Sequence, residues 1–376
     1  MESSFANNLE QRLQEIYPFF QEELVSSKSL VALRRIAVQL PFALSSRCGF
    51  ETRLSIEQAV VDFLVCVTAE NGERDALTSM KPIPYEHQAV QHPSWQRMRK
   101  LSCEWSQQES PTHIGISNIW LEFDVAQTSE DLAAPNIFFG LADTLTANAD
   151  ERTTQQEANR DLAIADTALE QLSPGWLNHK ARPSVIQCFR SLPQGAKVFQ
   201  VGCMLARETT GVRLCVRHLL FDQVGVYLAR LGWSGNLRAF DSEIQEIGKY
   251  VDSLKFSLDV GEHIGPRIGI ECSLQRQPQR EPRWSSFLDY LVDRGLCCRA
   301  KADALLRWSG ETEGAPVSDA STQDTELLFQ QNVRALSHVK LSFEGDTVSD
   351  NTKAYFGVWI RQCRRSVRDW LQQTYR

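Results

Sequence analysis

Hydrophobic positions recur along this chain first at helical and then at strand spacing, and that alternation repeats. Phe5, Leu9, Leu13 and Ile16 share one helical stripe, which Pro18 ends. Leu30, Leu33, Ile36, Ala37 and Leu40 form a second, stopped by Pro41. Two extended segments follow. In the second, over 60–69, Val61, Phe63, Val65 and Val67 alternate with Asp62, Leu64, Cys66 and Thr68, and Asn71-Gly72 supplies a turn. The order then returns. A weakly helical stretch at 95–105 leads into strand patterns at 118–125 and 136–141. Helical patterns at 162–172 and 185–189 lead into strands at 197–206 and 212–219. A stripe of Val224, Tyr227, Leu228 and Leu231 is followed by Ile244, Ile247, Val251 and Leu254, with Ser242 and Gln245 at capping-box spacing. A strand pattern at 267–274 comes next. Helices carrying Trp284, Phe287, Leu288 and Leu291 and then Leu305, Leu306 and Trp308 precede a last strand pair at 338–343 and 353–358 and a basic C-terminal helix.

The rhythm is two helices and then two strands, about five times. Nine of the ten strands it requires are visible, and the missing partner is expected near 275–281 or 326–336. Helix pairs between strand pairs suit an antiparallel sheet whose outer face the helices cover. About ten strands can close into a barrel wide enough for a ligand. The fold expected is therefore α+β, an antiparallel barrel of about ten strands surrounded by helices in repeated ααββ units, as one domain over 1–376. Polar stretches at 144–160 and 309–325 read as mobile insertions, because the rhythm resumes after each.

If the sheet closes, the apolar half of each strand meets the helices and the other half lines the lumen. The inward set is then polar and two-signed. Arg213, Arg217, Lys340 and Lys353 carry positive charge, Glu122 and Glu271 are carboxylates, and Trp120 and Tyr355 offer aromatic faces. Asp124, Gly269, Ser273 and Ser342 share these faces, and so does His338, beside Lys340. Charges facing a semi-enclosed space are costly unless paired with each other or with a ligand.

Composition narrows the class further. Of 376 residues, 42% are hydrophobic and 23% charged, which suits a packed protein. The formal net charge of −7 disfavours a nucleic-acid surface. The polar, acidic N-terminus predicts no signal peptide, no run suits a membrane span, and scattered Cys within apolar runs suit a reducing, cytoplasmic setting. No C-x-x-C and no His pair at ligand spacing predicts a structural zinc, no GxxxxGK[ST] predicts a nucleotide site, and the Arg361, Arg364, Arg365 and Arg368 run reads as a solvated helix face.

Three short segments now gain meaning together: Lys353-Ala354-Tyr355-Phe356, Val339-Lys340-Leu341 and Gly269-Ile270-Glu271-Cys272-Ser273-Leu274. With the repeat order they resemble the aromatic prenyltransferases of the dimethylallyl-tryptophan-synthase type, which have an ααββ (ABBA) barrel. In that family strands with Lys-x-Tyr and Arg/Lys patterns bind a diphosphate, and a Glu-x-Ser strand places a carboxylate on the aromatic acceptor. The resemblance implies a transferase of specialised metabolism moving an isoprenyl group from an allylic diphosphate to an aromatic or peptide acceptor. Glu122 or Glu271 would then orient or deprotonate the acceptor. Arg213, Arg217, Lys340 and Lys353 would hold the diphosphate, and Trp120, Tyr355 and His338 would line the pocket. Glu122 lies early in the chain, where the family has its carboxylate, and Glu271 lies late. No cofactor is implied, magnesium is possible but not required by any Asp-rich motif, and the partner is a small molecule or peptide, with no nucleic acid and no membrane. The alternatives are another biosynthetic enzyme in the same barrel, a cyclase or a peptide-modifying transferase, and a non-catalytic protein binding a hydrophobic ligand or peptide.

Overall fold

The computed structural model describes residues 8–80, 93–125, 134–144, 149–207, 209, 211–316 and 326–366. Five helix-then-strand units follow one another. The first is α1 (Leu9–Gln14), α2 (Ser27–Ala37), β1 (Arg47–Arg53) and β2 (Val61–Thr68). The second is α3 (Glu73–Ser79), α4 (Pro93–Ser106), α5 (Pro111–Gly115), β3 (Ile116–Phe123) and β4 (Asn136–Leu141). The third is α6 (Glu151–Leu172), α7 (Arg182–Arg190), β5 (Lys197–Cys203) and β6 (Val212–Arg217). The fourth is α8 (Phe221–Arg230), α9 (Leu237–Ile247), β7 (Ser253–Val260) and β8 (Ile264–Ser273). The fifth is α10 (Arg283–Asp293), α11 (Arg299–Trp308), β9 (Gly310–Pro316), β10 (Glu326–Glu344), β11 (Thr347–Val348) and β12 (Lys353–Ser366).

Every strand pairing is antiparallel. The strands run β10, β12, β1, β2, β3, β4, β5, β6, β7, β8 and back to β10, so ten strands close into a barrel. The closing seam joins Val339 to Cys272 and Phe343 to Ile268. The other chain-end seam sets β1 against β12, from Arg47 opposite Trp359 to Arg53 opposite Lys353. Two further strands lie outside the ring: β9 pairs with the first half of β10, and β11 with its end. The α+β barrel expected from the hydrophobic pattern is therefore the architecture found.

Strand alternation sorts the side chains. Outward positions such as Phe50, Phe63, Phe123 and Phe356 are fully buried beneath the helices. Their rings follow one another at 5.5–6.3 Å from β12 through β1 and β2 to β3, and Trp308 of α11 packs onto Phe356 at 4.9 Å. The coat is also fastened by buried lysines. Lys197, at the start of β5, meets Asp161 of α6 at 3.0 Å with both side chains almost wholly buried. Lys301 of α11 donates 2.5 and 2.9 Å hydrogen bonds to the carbonyls of Arg53 and Gln58, tying down the β1–β2 turn.

Several local expectations are corrected. The tenth strand is β7, before the 267–274 strand and not at 275–281. Its first residues continued the helical spacing of Ile244 and Ile247, yet α9 ends at Ile247. Ser242 does not cap that helix; Asn236 does, its side chain accepting from the Ala239 N–H. Residues 326–336 belong to β10 itself, a 19-residue strand. The basic C-terminal run is strand to Ser366, since β12 continues past the barrel with β10 as its partner. Arg368 lies outside the described residues. The stretch at 144–160 is α6 from Glu151 onward, capped by the Asp150 side chain, and residues 145–148 lie outside the description. The stretch at 309–325 opens with β9, and 317–325 are likewise not described.

Candidate active site in the barrel lumen

The lumen holds two adjoining cavities with lining residues in common. One, of about 510 Å³, lies at the hairpin end, where β1 meets β2, β7 meets β8 and β10 meets β12. Arg53, Arg207, Arg213, Arg267, Lys340 and Lys353 line it against Glu51, Asp62, Asp124 and Asp259. The other, of about 380 Å³, reaches toward the opposite end and is walled by Trp120, Phe138, Phe199, Tyr355 and His338, with Glu122, Cys215, Lys255 and Glu271. Glu51, Arg207, Arg213, Lys340, Lys353 and Tyr355 border both, so polar and aromatic compartments share one partition. Both volumes suit a small organic ligand.

Register explains the pairs. Arg213 of β6 stands opposite Asp259 of β7, and Nε donates to Oδ1 at 2.7 Å. Lys340 of β10 stands opposite Glu271 of β8, Nζ 3.3 Å from Oε1. Lys353 of β12 reaches diagonally to Glu51 of β1. Arg207, in the β5–β6 turn, holds Asp124, with Nε 2.7 Å from Oδ2. Gly269 makes room for one of these: a Cβ there would overlap Ser257 Oγ and lie 2.7 Å from Lys340 Cε. Gly202 does the same for the Phe138 ring.

Three carboxyls come together here: Glu51 pairs with Asp62 across β1 and β2, and Asp124 just past the end of β3 acts on Asp62 from the other side. The outer two have cationic partners. Asp62, in the middle, accepts only the Val125 N–H among the described residues, at 3.0 Å. Burial, with Glu51 and Asp124 adding to it, pushes Asp62 up to about 7. Burial works the same way on Glu51, but the Lys353 charge and hydrogen bond win and hold it well below the usual carboxylate range. Among the described residues, no three His, Cys, Asp or Glu side chains gather as a metal cluster.

The two candidate carboxylates differ. Burial would raise Glu271, yet Lys340, His338 and Lys255 together hold it down at about 2. Glu122 has neither an ion pair nor a hydrogen bond among the described residues. Burial in the barrel wall pushes it up to about 8, Glu51 adds to the rise, and Lys340, Arg213 and Lys353 only moderate it. Glu122 is thus the neutral, unengaged carboxyl of the lumen, while Glu271 is a committed counter-ion. His338 stacks on Tyr355, ring centroids 4.3 Å apart and 14° from parallel, with Nδ1 3.0 Å from Ser337 Oγ. Burial lowers it to about 4; Glu271 opposes, and Lys255 and Lys340 reinforce. The imidazole is therefore neutral at physiological pH. Burial pushes the Cys215 thiol up to about 12, so it is no nucleophile.

Of the residues singled out from sequence, Glu122, Glu271, Arg213, Lys340, Lys353, Tyr355, Trp120 and His338 all face this lumen. Arg217 does not border either cavity. It sits at the far end of β6, ion-paired with Asp143, its guanidinium 5.5 Å from the Phe199 ring centre. Sequence reasoning missed Glu51, Asp259, Lys255 and Arg207. Glu51 lay in a segment read only as extended and Arg207 in a turn, while Asp259 and Lys255 are on the unrecognised β7; only the alternation Lys255, Ser257, Asp259 against Leu254, Phe256, Leu258 signalled them. No protein-family model matches the chain, and no curated protein matches it. Among the described residues no helix is long and apolar enough to cross a membrane.

Proposed function

We propose that the protein is a transferase that moves an isoprenyl group from an allylic diphosphate to an aromatic or peptide acceptor within its lumen. The observation that carries this reading is the partition: Arg213, Lys340, Lys353 and Tyr355 separate a cation-rich compartment from an aromatic one. A diphosphate in the first places its allylic carbon at the boundary with the second. As the C–O bond lengthens, Arg and Lys groups stabilise the charge growing on the leaving oxygens. Their carboxylate partners keep them in position beforehand, and the lining still carries six cationic side chains against four carboxyls, of which Asp62 titrates near neutrality.

The allylic cation is met by π-faces. Trp120 and the stacked Tyr355–His338 pair exclude water, and each favourable face is worth roughly 0.5–2 kcal/mol to a cation. The acceptor carbon then bonds to the allylic carbon, and the arene must lose a proton. Glu122, unengaged and poised near 8, suits that role as a general base in its ionised form. Glu271 suits a supporting role, holding Lys340.

The test is direct. The full chain is incubated with dimethylallyl diphosphate and an indole or naphthol acceptor, and inorganic diphosphate and prenylated arene are measured. Lys353→Met is expected to lower the rate at least about 100-fold, on the scale of removing one preorganised electrostatic donor. Absence of diphosphate release with any acceptor, at concentrations that raise the melting temperature, would reject catalysis. That outcome would favour the second reading, a non-catalytic carrier of amphipathic ligands. What favours that reading is that Arg207, Arg213, Lys340 and Lys353 already have carboxylate partners without any ligand.

A further inference from the structure

The aromatic compartment holds a half-buried ammonium, Lys255, that no carboxylate pairs with among the described residues. Lys255, Glu271 and Lys340 form one rung across β7, β8 and β10. The single carboxylate is taken: Oε1 lies 3.3 Å from Lys340 Nζ, and Oε2 faces His338 Nε2 at 4.0 Å. Lys255 makes no ion pair among the described residues. Its ammonium stands 5.3 Å from the centre of the Phe199 ring. Among the described residues the other carboxyls of the lumen are neutral or engaged. Glu122 is neutral below about 8, and Glu51, Asp124 and Asp259 are held by Lys353, Arg207 and Arg213. Arg47, the other lining cation without an ion pair, is exposed at the rim. A half-buried ammonium with one aromatic face, sharing its nearest carboxylate with Lys340, has room for an anion of its own. Lys255 does not line the polar compartment, so its charge is separate from the group that would hold a diphosphate.

We propose that Lys255 is the specificity-determining residue of the aromatic compartment, and that the compartment takes an aromatic carboxylate whose anionic group pairs with Lys255 while its ring lies among Phe199, Phe138 and Trp120. As a statement about the acceptor this rests on the transferase reading; as a statement about binding it does not.

Titration calorimetry on the full chain separates the two. Three probes are used: 2-naphthoate, its neutral counterpart 2-naphthamide, and inorganic diphosphate. The wild type is expected to bind naphthoate about tenfold or more tighter than naphthamide, the scale of one charge-assisted hydrogen bond. Lys255→Met should abolish that preference while leaving naphthamide and diphosphate affinities unchanged, and Lys255→Arg should restore it. The proposal is overturned if the wild type shows no preference or binds neither arene, or if the preference survives Lys255→Met. Loss of diphosphate affinity in Lys255→Met also overturns it, by assigning the ammonium to the diphosphate. A Lys255-dependent preference without any prenylated product upholds this proposal and rejects the transferase reading. Turnover indifferent to the acceptor's charge does the reverse.

Discussion

Glu122 and Glu271 show how one residue type diverges within a single lumen. Glu122 has its folded value raised, so in the window from its unfolded value, near 4.3, up to about 8 the folded chain binds more protons than the unfolded one. Its contribution to stability is present in full below that window and is lost as pH rises through about 8. Glu122→Gln mimics the neutral carboxyl. Its melting temperature is expected to match the wild type near pH 4 and exceed it at pH 9, by thermal denaturation across that range; a constant offset would refute the assignment. In the proposed reaction the same variant loses the rise in turnover through pH 8. Glu271 has the opposite sign: its contribution is present above about 4.3 and lost as pH falls toward 2. Glu271→Gln leaves Lys255 and Lys340 facing each other and is expected to cost about 3 kcal/mol in denaturant unfolding at pH 7. Lys340→Met should cost less, because Lys255 remains to answer the carboxylate.

At the scale of elements, the strands were readable where both faces had a distinct character. Val212, Leu214 and Val216 against Arg213, Cys215 and Arg217 is such a case, and it placed Arg213 inside correctly. β7 was hidden because Val251 and Leu254 extend the i, i+3, i+4 spacing of α9, and only pairing with β6 and β8 overrides that local pattern. The β12 extension resembles a helix for the same reason: its basic residues recur at helical spacing, while its strand state depends on distant Asn332 and Val333. Diagonal partners such as Lys353 and Glu51 depend on register and were out of reach without it. The glycines under the lumen side chains carry a test at this scale. Gly269→Ala should displace Lys340 from Glu271 and cost about 1–3 kcal/mol, the usual penalty of overpacking. Gly202→Ala should push Phe138 into the aromatic compartment, weakening arene binding more than diphosphate binding. Calorimetry with both probes checks the difference, and equal losses would indicate general unfolding instead.

For the whole molecule, closure depends on the ends of the chain. β12 is flanked by β1 and β10, and β10 by β12 and β8, so the first unit meets the last and the last meets the fourth. Such pairing must await nearly the entire chain, and loop-closure entropy delays it. A chain ending at residue 352 is expected to bind a hydrophobic dye and to unfold without a cooperative transition, because β1 and β10 would both lose a neighbour; a sharp native-like transition would contradict this.

The alternation of faces along each strand has a last consequence. Side chains under the helices and side chains in the hollow alternate along the same ten strands. The lumen can therefore be refurnished position by position, Lys255 or Trp120 exchanged for another group, while the aromatic packing of Phe50, Phe63 and Trp308 that keeps the ring round is left alone. Ligand preference and structural integrity are carried by opposite sides of one sheet, which makes this scaffold a suitable starting point for redesigning what it accepts.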